Sequence, residues 1–83
     1  MFIVYVLKSH RNGKRYIGYS SKSAEQRLKE HNSGTNVFTR QNKPFRLVYT
    51  EPYETKLEAI QREKFLKSGK GRELLNNIIG PLA

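Results

Sequence analysis

One short segment constrains this chain more than any other: Phe2-Ile3-Val4-Tyr5-Val6-Leu7, its longest uninterrupted apolar run. The segment is β-branched and aromatic and apolar on both faces, which is the pattern of a central, buried strand. It is too short for a signal-peptide core or a transmembrane span, so no membrane partner is expected. The 83 residues allow one domain, 1–83. A chain of this size buries only about 60 % of its unfolded surface, so one small core must suffice.

The strand's partner follows at once. Asn12-Gly13 is a hairpin signal, and Arg15-Tyr16-Ile17-Gly18-Tyr19-Ser20 is the return strand. With Asn12 and Gly13 as the two turn residues, Tyr5 faces Ser20, Leu7 faces Gly18 and Ser9 faces Tyr16. Alternation then puts Tyr5 and Tyr16 on one face of the sheet. Gly18 beside them leaves room for a ligand to approach the backbone.

Two capping boxes set the helices. Ser23-Ala24-Glu25-Gln26 opens one that runs to about Asn32, where Asn32-Ser33-Gly34 stops it. Its apolar stripe is only Ala24 and Leu28, with Arg27 and His31 four apart on the adjoining face. A polar loop, Thr35 to Pro44, leads to a third strand, Phe45 to Thr50, bounded by Pro44 and Pro52. Thr55-Lys56-Leu57-Glu58 opens a long helix to about Ser68-Gly69, and a last helix carries Leu74, Leu75, Ile78 and Ile79. The expected order is β-β-α-β-α-α, an α/β arrangement of helices on a small mixed or antiparallel sheet.

Composition then narrows the chemistry. All seven acidic residues are Glu, the histidines are His10 and His31 alone, and Asp, Cys and Trp are absent. Disulfides, thiolate zinc sites, cysteine nucleophiles, Ser-His-Asp triads and Asp-based metal clusters are excluded. Lack of Cys fits a cytoplasmic location. The net charge is +9, of which residues 1–52 carry +7, and this points to a polyanionic partner, most simply nucleic acid. Lys14, Arg15, Lys22, Arg40, Lys43 and Arg46 are candidate phosphate contacts. Lys67-Ser68-Gly69-Lys70-Gly71-Arg72 adds Lys67, Lys70 and Arg72, with backbone N–H groups at a helix start. A plain helix–helix joint explains its glycines equally well.

One carboxylate stands out. At about 100° per residue from Leu57, Leu66, Ala59 and Ile60 fall at roughly 180°, 200° and 300°, and Glu63 at roughly 240°. A carboxylate on an apolar arc must be paired, hydrated in a cleft or bound to a cation. Pairing to Lys67 at i+4 or to Arg27 across the core are the structural alternatives. Two phenols, Tyr5 and Tyr16, with Arg27, His31 and Glu63, contain a nucleophile activator, an oxyanion stabiliser and a metal ligand, as phosphodiester hydrolysis requires.

At these residues the chain resembles the GIY-YIG nuclease superfamily. Tyr16-Ile17-Gly18 matches the second tripeptide to the letter, whereas Ile3-Val4-Tyr5 keeps only the tyrosine of the first. Arg27 and His31 stand at the helical Arg-x-x-x-His/Tyr pair, and Glu63 at the metal-binding Glu. Phe38-Thr39-Arg40 and Arg62-Glu63-Lys64 resemble small stand-alone bacterial members, and the nuclease domain of the excinuclease C subunit is similar. Tyr19 departs from relatives that carry Lys there. The resemblance implies a three-stranded antiparallel sheet flanked by helices and a one-metal DNA endonuclease. Glu63 would hold Mg²⁺ or Mn²⁺, Arg27 would stabilise the phosphoryl group, Tyr16 or Tyr5 would activate water, and His31 would be a proton partner. A free phenol ionises near about 10, so its anion at neutral pH costs roughly 4 kcal/mol unless cations lower it. The rival reading is a nucleic-acid-binding module whose catalysis is vestigial or depends on a protein partner that supplies specificity.

Overall fold

The computed structural model describes residues 1–34 and 37–80. Strands β1 (Phe2–Ser9), β2 (Arg15–Ser20) and β3 (Phe45–Tyr53) form one antiparallel sheet in the order β2-β1-β3. The expected order of elements holds: α1 (Ala24–Asn32) follows the hairpin, and α3 (Lys56–Lys67) and α4 (Gly69–Ile79) follow β3. One short helix, α2 (Val37–Asn42), occupies part of the expected polar loop. It stops before Lys43–Pro44, because the residue preceding a proline resists the helical conformation. Expectations that fell on Thr35, Asn36 and the last three residues lie outside the described ones.

β1 is the central strand, and its alternation builds two cores. Val4 and Val6 pack on one face with Ala59, Leu66 and Leu75 of α3 and α4, while Tyr5 and Leu7 pack on the other with Phe45 and, from α1, Leu28. The hairpin register differs from the sequence expectation by two residues: Tyr5 pairs with Gly18 and Leu7 with Tyr16. Asn12-Gly13 sits inside a longer connection, closed by Ser9 N–H to Lys14 O at 2.8 Å, with Gly13 at φ +74°. Ser9 Oγ accepts from the amides of Arg11 and Asn12 and so holds the connection open beyond a two-residue turn. A slip of two preserves side-chain parity, so Tyr5 and Tyr16 still share a face. β3 runs past Thr50 through Pro52, which a sheet edge tolerates because an outward position needs no N–H donor.

The caps form as the sequence implies. Ser23 Oγ accepts from Gln26 N–H and Thr55 Oγ1 from Glu58 N–H. Ser68 ends α3 and caps α4: its hydroxyl donates to Phe65 O at 2.5 Å and accepts from Gly71 N–H at 3.2 Å. A Cβ at Gly71 would overlap the Phe65 carbonyl, so this glycine serves the close α3–α4 joint. Its amide is already taken by Ser68 and is not offered to an anion.

A carboxylate clamp fixes α3 on the sheet. Arg62 binds Glu51 in bidentate fashion, Nε to Oε1 at 2.8 Å and Nη2 to Oε2 at 3.1 Å, while the Tyr49 and Tyr53 hydroxyls donate to the same two oxygens. Burial alone would raise the Glu51 pKa, but the hydrogen bonds from Arg62, Tyr49 and Tyr53 outweigh it and hold the carboxyl near about 2, against an ordinary 4.5. The Tyr53 phenol is correspondingly pushed up to about 12, by burial and by its bond to Glu51. Because the folded value is depressed, the unfolded chain binds more protons in between, so this stabilisation is complete above the ordinary value and is lost as pH falls toward the folded one. Glu51→Gln is expected to cost about 2–3 kcal/mol at neutral pH and to flatten the acid decline between about pH 5 and pH 2, measured by urea unfolding across that range. Parallel declines in the two proteins would show that the clamp carries no proton-linked stability.

Candidate active site

Tyr5 reaches the interior because its cross-strand partner is a glycine. Its side chain is 1 % exposed, and a Cβ built at Gly18 would lie 2.6 Å from the Tyr5 hydroxyl and 3.2 Å from the Tyr16 ring. The space expected for a ligand at Gly18 is therefore filled by the phenol itself. On β2, Tyr16 stacks beside it, ring centroids 6.3 Å apart and planes 24° from parallel, and its ring centroid lies 4.5 Å from that of His31.

α1 brings its two polar residues to the same hydroxyl. His31 is fully buried and its Nε2 lies 2.9 Å from the Tyr5 hydroxyl. Arg27 donates from Nε to that oxygen at 3.3 Å, and its Nη2 approaches His31 Nε2 at 3.3 Å. Since the guanidinium has no acceptor, His31 Nε2 must be the acceptor there, and the imidazole is neutral with its proton on Nδ1. Burial, and then the Arg27 charge, lower the His31 pKa and agree with that assignment. Nδ1 is a buried atom without a partner among the described residues. The Tyr5 oxygen can then donate to His31 while accepting from Arg27.

Exposure separates the two phenols. Burial raises the Tyr5 pKa, and the hydrogen bond and charge of Arg27 only partly offset it. Tyr5 is therefore a protonated anchor at neutral pH. Tyr16 is half-buried and lines an open cavity. Arg27 is itself held by Glu30, Nη1 to Oε1 at 3.0 Å, and Lys22 Nζ reaches the same carboxylate at 3.0 Å. Burial opposes ionisation of Arg27, but hydrogen bonds to Tyr5 and Glu30 and their charges raise its pKa. The sequence reading missed Glu30, although its i,i+3 spacing from Arg27 was visible.

Glu63 completes the set at a distance. Its carboxylate pairs with Lys67, 3.1 Å from Nζ to Oε1, which realises one of the two internal pairings considered; Arg27 pairs elsewhere. Its charge nonetheless contributes to raising the Tyr5 pKa, so it belongs to the same electrostatic neighbourhood. Among the described residues no group of three or more His or Glu side chains could hold a metal. One carboxylate does fit a hydrated Mg²⁺-type ion, which keeps several waters and takes one or two carboxylates plus substrate phosphate.

The cationic candidates divide in two. A cavity of about 660 Å³ gathers Lys14, Arg15, Lys67 and Arg72, together with Lys8, which the sequence reading did not single out. Lys22, Arg40, Lys43, Arg46 and Lys70 lie exposed outside that cavity, Lys22 being tied to the site through Glu30.

With this geometry in view, comparison with known proteins is direct. Residues 1–76 match the GIY-YIG catalytic domain, and the chain belongs to that family of nucleases, which generally use divalent metals. More particularly, it is similar to the UPF0213 proteins of Staphylococcus aureus strains Mu3 and Mu50, each 41 % identical over 66 residues covering 78 % of either chain. The solution NMR structure of the UPF0213 protein BH0048 from Bacillus halodurans is also similar, with a TM-score of 0.57 at 36 % identity over 96 % of this chain and 87 % of that one.

Gly18→Ala is expected to cost about 1–3 kcal/mol by displacing the Tyr5 ring. Tyr5→Phe is expected to cost about 1–2 kcal/mol by stranding Arg27 and His31. Urea unfolding of the double variant should give less than the sum, because both changes act on one hydroxyl. Strict additivity would show that Gly18 is not kept for Tyr5.

Proposed function

We propose that the chain is a metal-dependent endonuclease that hydrolyses phosphodiester bonds in DNA. The observation that carries the reading is the convergence of Arg27 and His31 on the Tyr5 hydroxyl, with Tyr16 stacked beside it. Roles follow from exposure. Tyr5 and His31 are sealed and act as positioning residues that fix the Arg27 guanidinium. Arg27, one-quarter exposed, directs its charge toward a phosphoryl group. Tyr16, half-buried beside Tyr5, orients the attacking water, and in its phenolate form takes the proton of that water as the bond forms. Glu63 would hold Mg²⁺ or Mn²⁺, which when bound supplies charge stabilisation at the scissile phosphate and the leaving oxygen. Lys14, Arg15, Arg72 and the exposed Lys22, Arg40, Lys43, Arg46 and Lys70 supply backbone attraction.

A plasmid nicking assay with Mg²⁺ or Mn²⁺ tests this. Glu63→Ala and Arg27→Ala are each expected to lower the rate about 100-fold or more while the circular dichroism spectrum is retained. Undiminished cleavage in either variant would overturn the mechanism.

A second reading has its own support: Glu63 and Arg27 both already carry internal ionic partners, Lys67 and Glu30. On that reading the chain binds nucleic acid and a protein partner restores or directs cleavage. Salt-sensitive binding without nicking, across substrates and metals, would favour it.

A further inference from the structure

Lys67 belongs to two places at once. Its ammonium lies on the Glu63 carboxylate at 3.1 Å, one helical turn away, and it also lines the cationic cavity. The Glu63 side chain is 16 % exposed and that of Lys67 54 %, so the carboxylate is held in place while the ammonium is free to swing. The cavity collects five cationic side chains, Lys8, Lys14, Arg15, Lys67 and Arg72, and among the described residues no carboxylate lines it. Like charges around one space favour entry of an anion. On Glu63, by contrast, Lys67 cancels the charge that would draw a divalent ion, and its own charge repels that ion.

We infer that Lys67 is a placeholder that occupies Glu63 in the free protein and moves to a phosphate seated in the cavity, so that anion binding there raises the metal affinity of Glu63. This rests on the reading of Glu63 as the metal ligand. The coupling is a differential interaction: filling the cavity favours the arrangement in which Lys67 has left the carboxylate. It is also reciprocal, since metal on Glu63 releases Lys67 toward the cavity and tightens anion binding by the same factor. A plain i,i+4 pair that merely supports α3 predicts no response of metal binding to an anion.

Calorimetric titration of Mn²⁺ into the 83-residue chain decides between these, in chloride and in sulfate at equal ionic strength, sulfate standing in for a backbone phosphate. Wild-type protein is expected to bind Mn²⁺ about fivefold more tightly in sulfate. Lys67→Met should bind tightly already in chloride and ignore sulfate. Arg72→Ala should lose most of the sulfate effect. A wild-type affinity indifferent to sulfate, or a Lys67→Met variant still responding to it, overturns the coupling while leaving Glu63 as ligand. Unchanged Mn²⁺ binding in Glu63→Gln, or none in the wild type, overturns the metal reading itself.

Discussion

A single phenolic oxygen organises this molecule. The Tyr5 hydroxyl accepts from Arg27 and meets His31, and it fits only because Gly18 opposes it on β2. A hydroxyl at that depth must be satisfied, since an unpaired buried donor or acceptor costs about 1–3 kcal/mol. The requirement ties α1 to the sheet, because no apolar stripe of useful width does so: Ala24 and His31 are its buried residues. Asn32 adds a second tie, its amide bonding both the N–H and the carbonyl of Phe45 at the start of β3. Polar contacts thus seat the helix, and those same contacts fix where Arg27 points.

The opposite face is built differently. There α3 and α4 bury Ala59, Leu66 and Leu75 against Val4 and Val6, and the Glu51–Arg62 clamp sets the position of α3 on β3. Glu63 follows Arg62 directly, so the clamp that holds α3 also determines where this carboxylate stands. α3 packs over β1 and β2 on the side away from the Tyr5 ring, yet the Glu63 charge is felt at Tyr5. β2 borders both halves: its Tyr16 ring packs with Tyr5 on the α1 side, while Ile17 and the cations Lys8, Arg15, Lys67 and Arg72 line the cavity with α4.

Much of this was legible in the sequence, for reasons that are local. The central strand shows in a run apolar on both faces, and the helix starts show in Ser23 and Thr55. The shared face of Tyr5 and Tyr16 survived an error of two in register because parity, not register, sets the face. What escaped were features decided by tertiary contact. Nothing in Val37–Asn42 announces a helix of six residues. Gly18 reads as open space until Tyr5 is seen to fill it. Lys67 satisfies the i+4 rule with Glu63, but its second environment depends on the β1–β2 connection and α4 arriving at the same place. Among nine candidate cations, only the four brought together by that arrival line one cavity.

The absence of Asp and the single carboxylate proposed as metal ligand, Glu63, acquire a physical sense from this arrangement. A site with several carboxylates would cage a divalent ion but would also repel the backbone of a polyanionic substrate. On the proposed function, a single metal-facing carboxylate, set among cations in a chain of net charge +9, would let the site attract the polyanion first and leave part of the metal's coordination to it. Such a division has a consequence for the protein without substrate: a half-buried carboxylate beside so many cations takes one of them as its partner. The Glu63–Lys67 pair is that outcome, and it makes the unliganded site electrostatically quiet. Arg27 and Glu30 repeat the pattern on α1. On the proposed function, the two charged groups that would serve phosphodiester chemistry are thus balanced by neighbours on their own helices, which a phosphate and its metal would have to outcompete. On that reading the strength of those two pairings would be a term in substrate affinity as well as in stability.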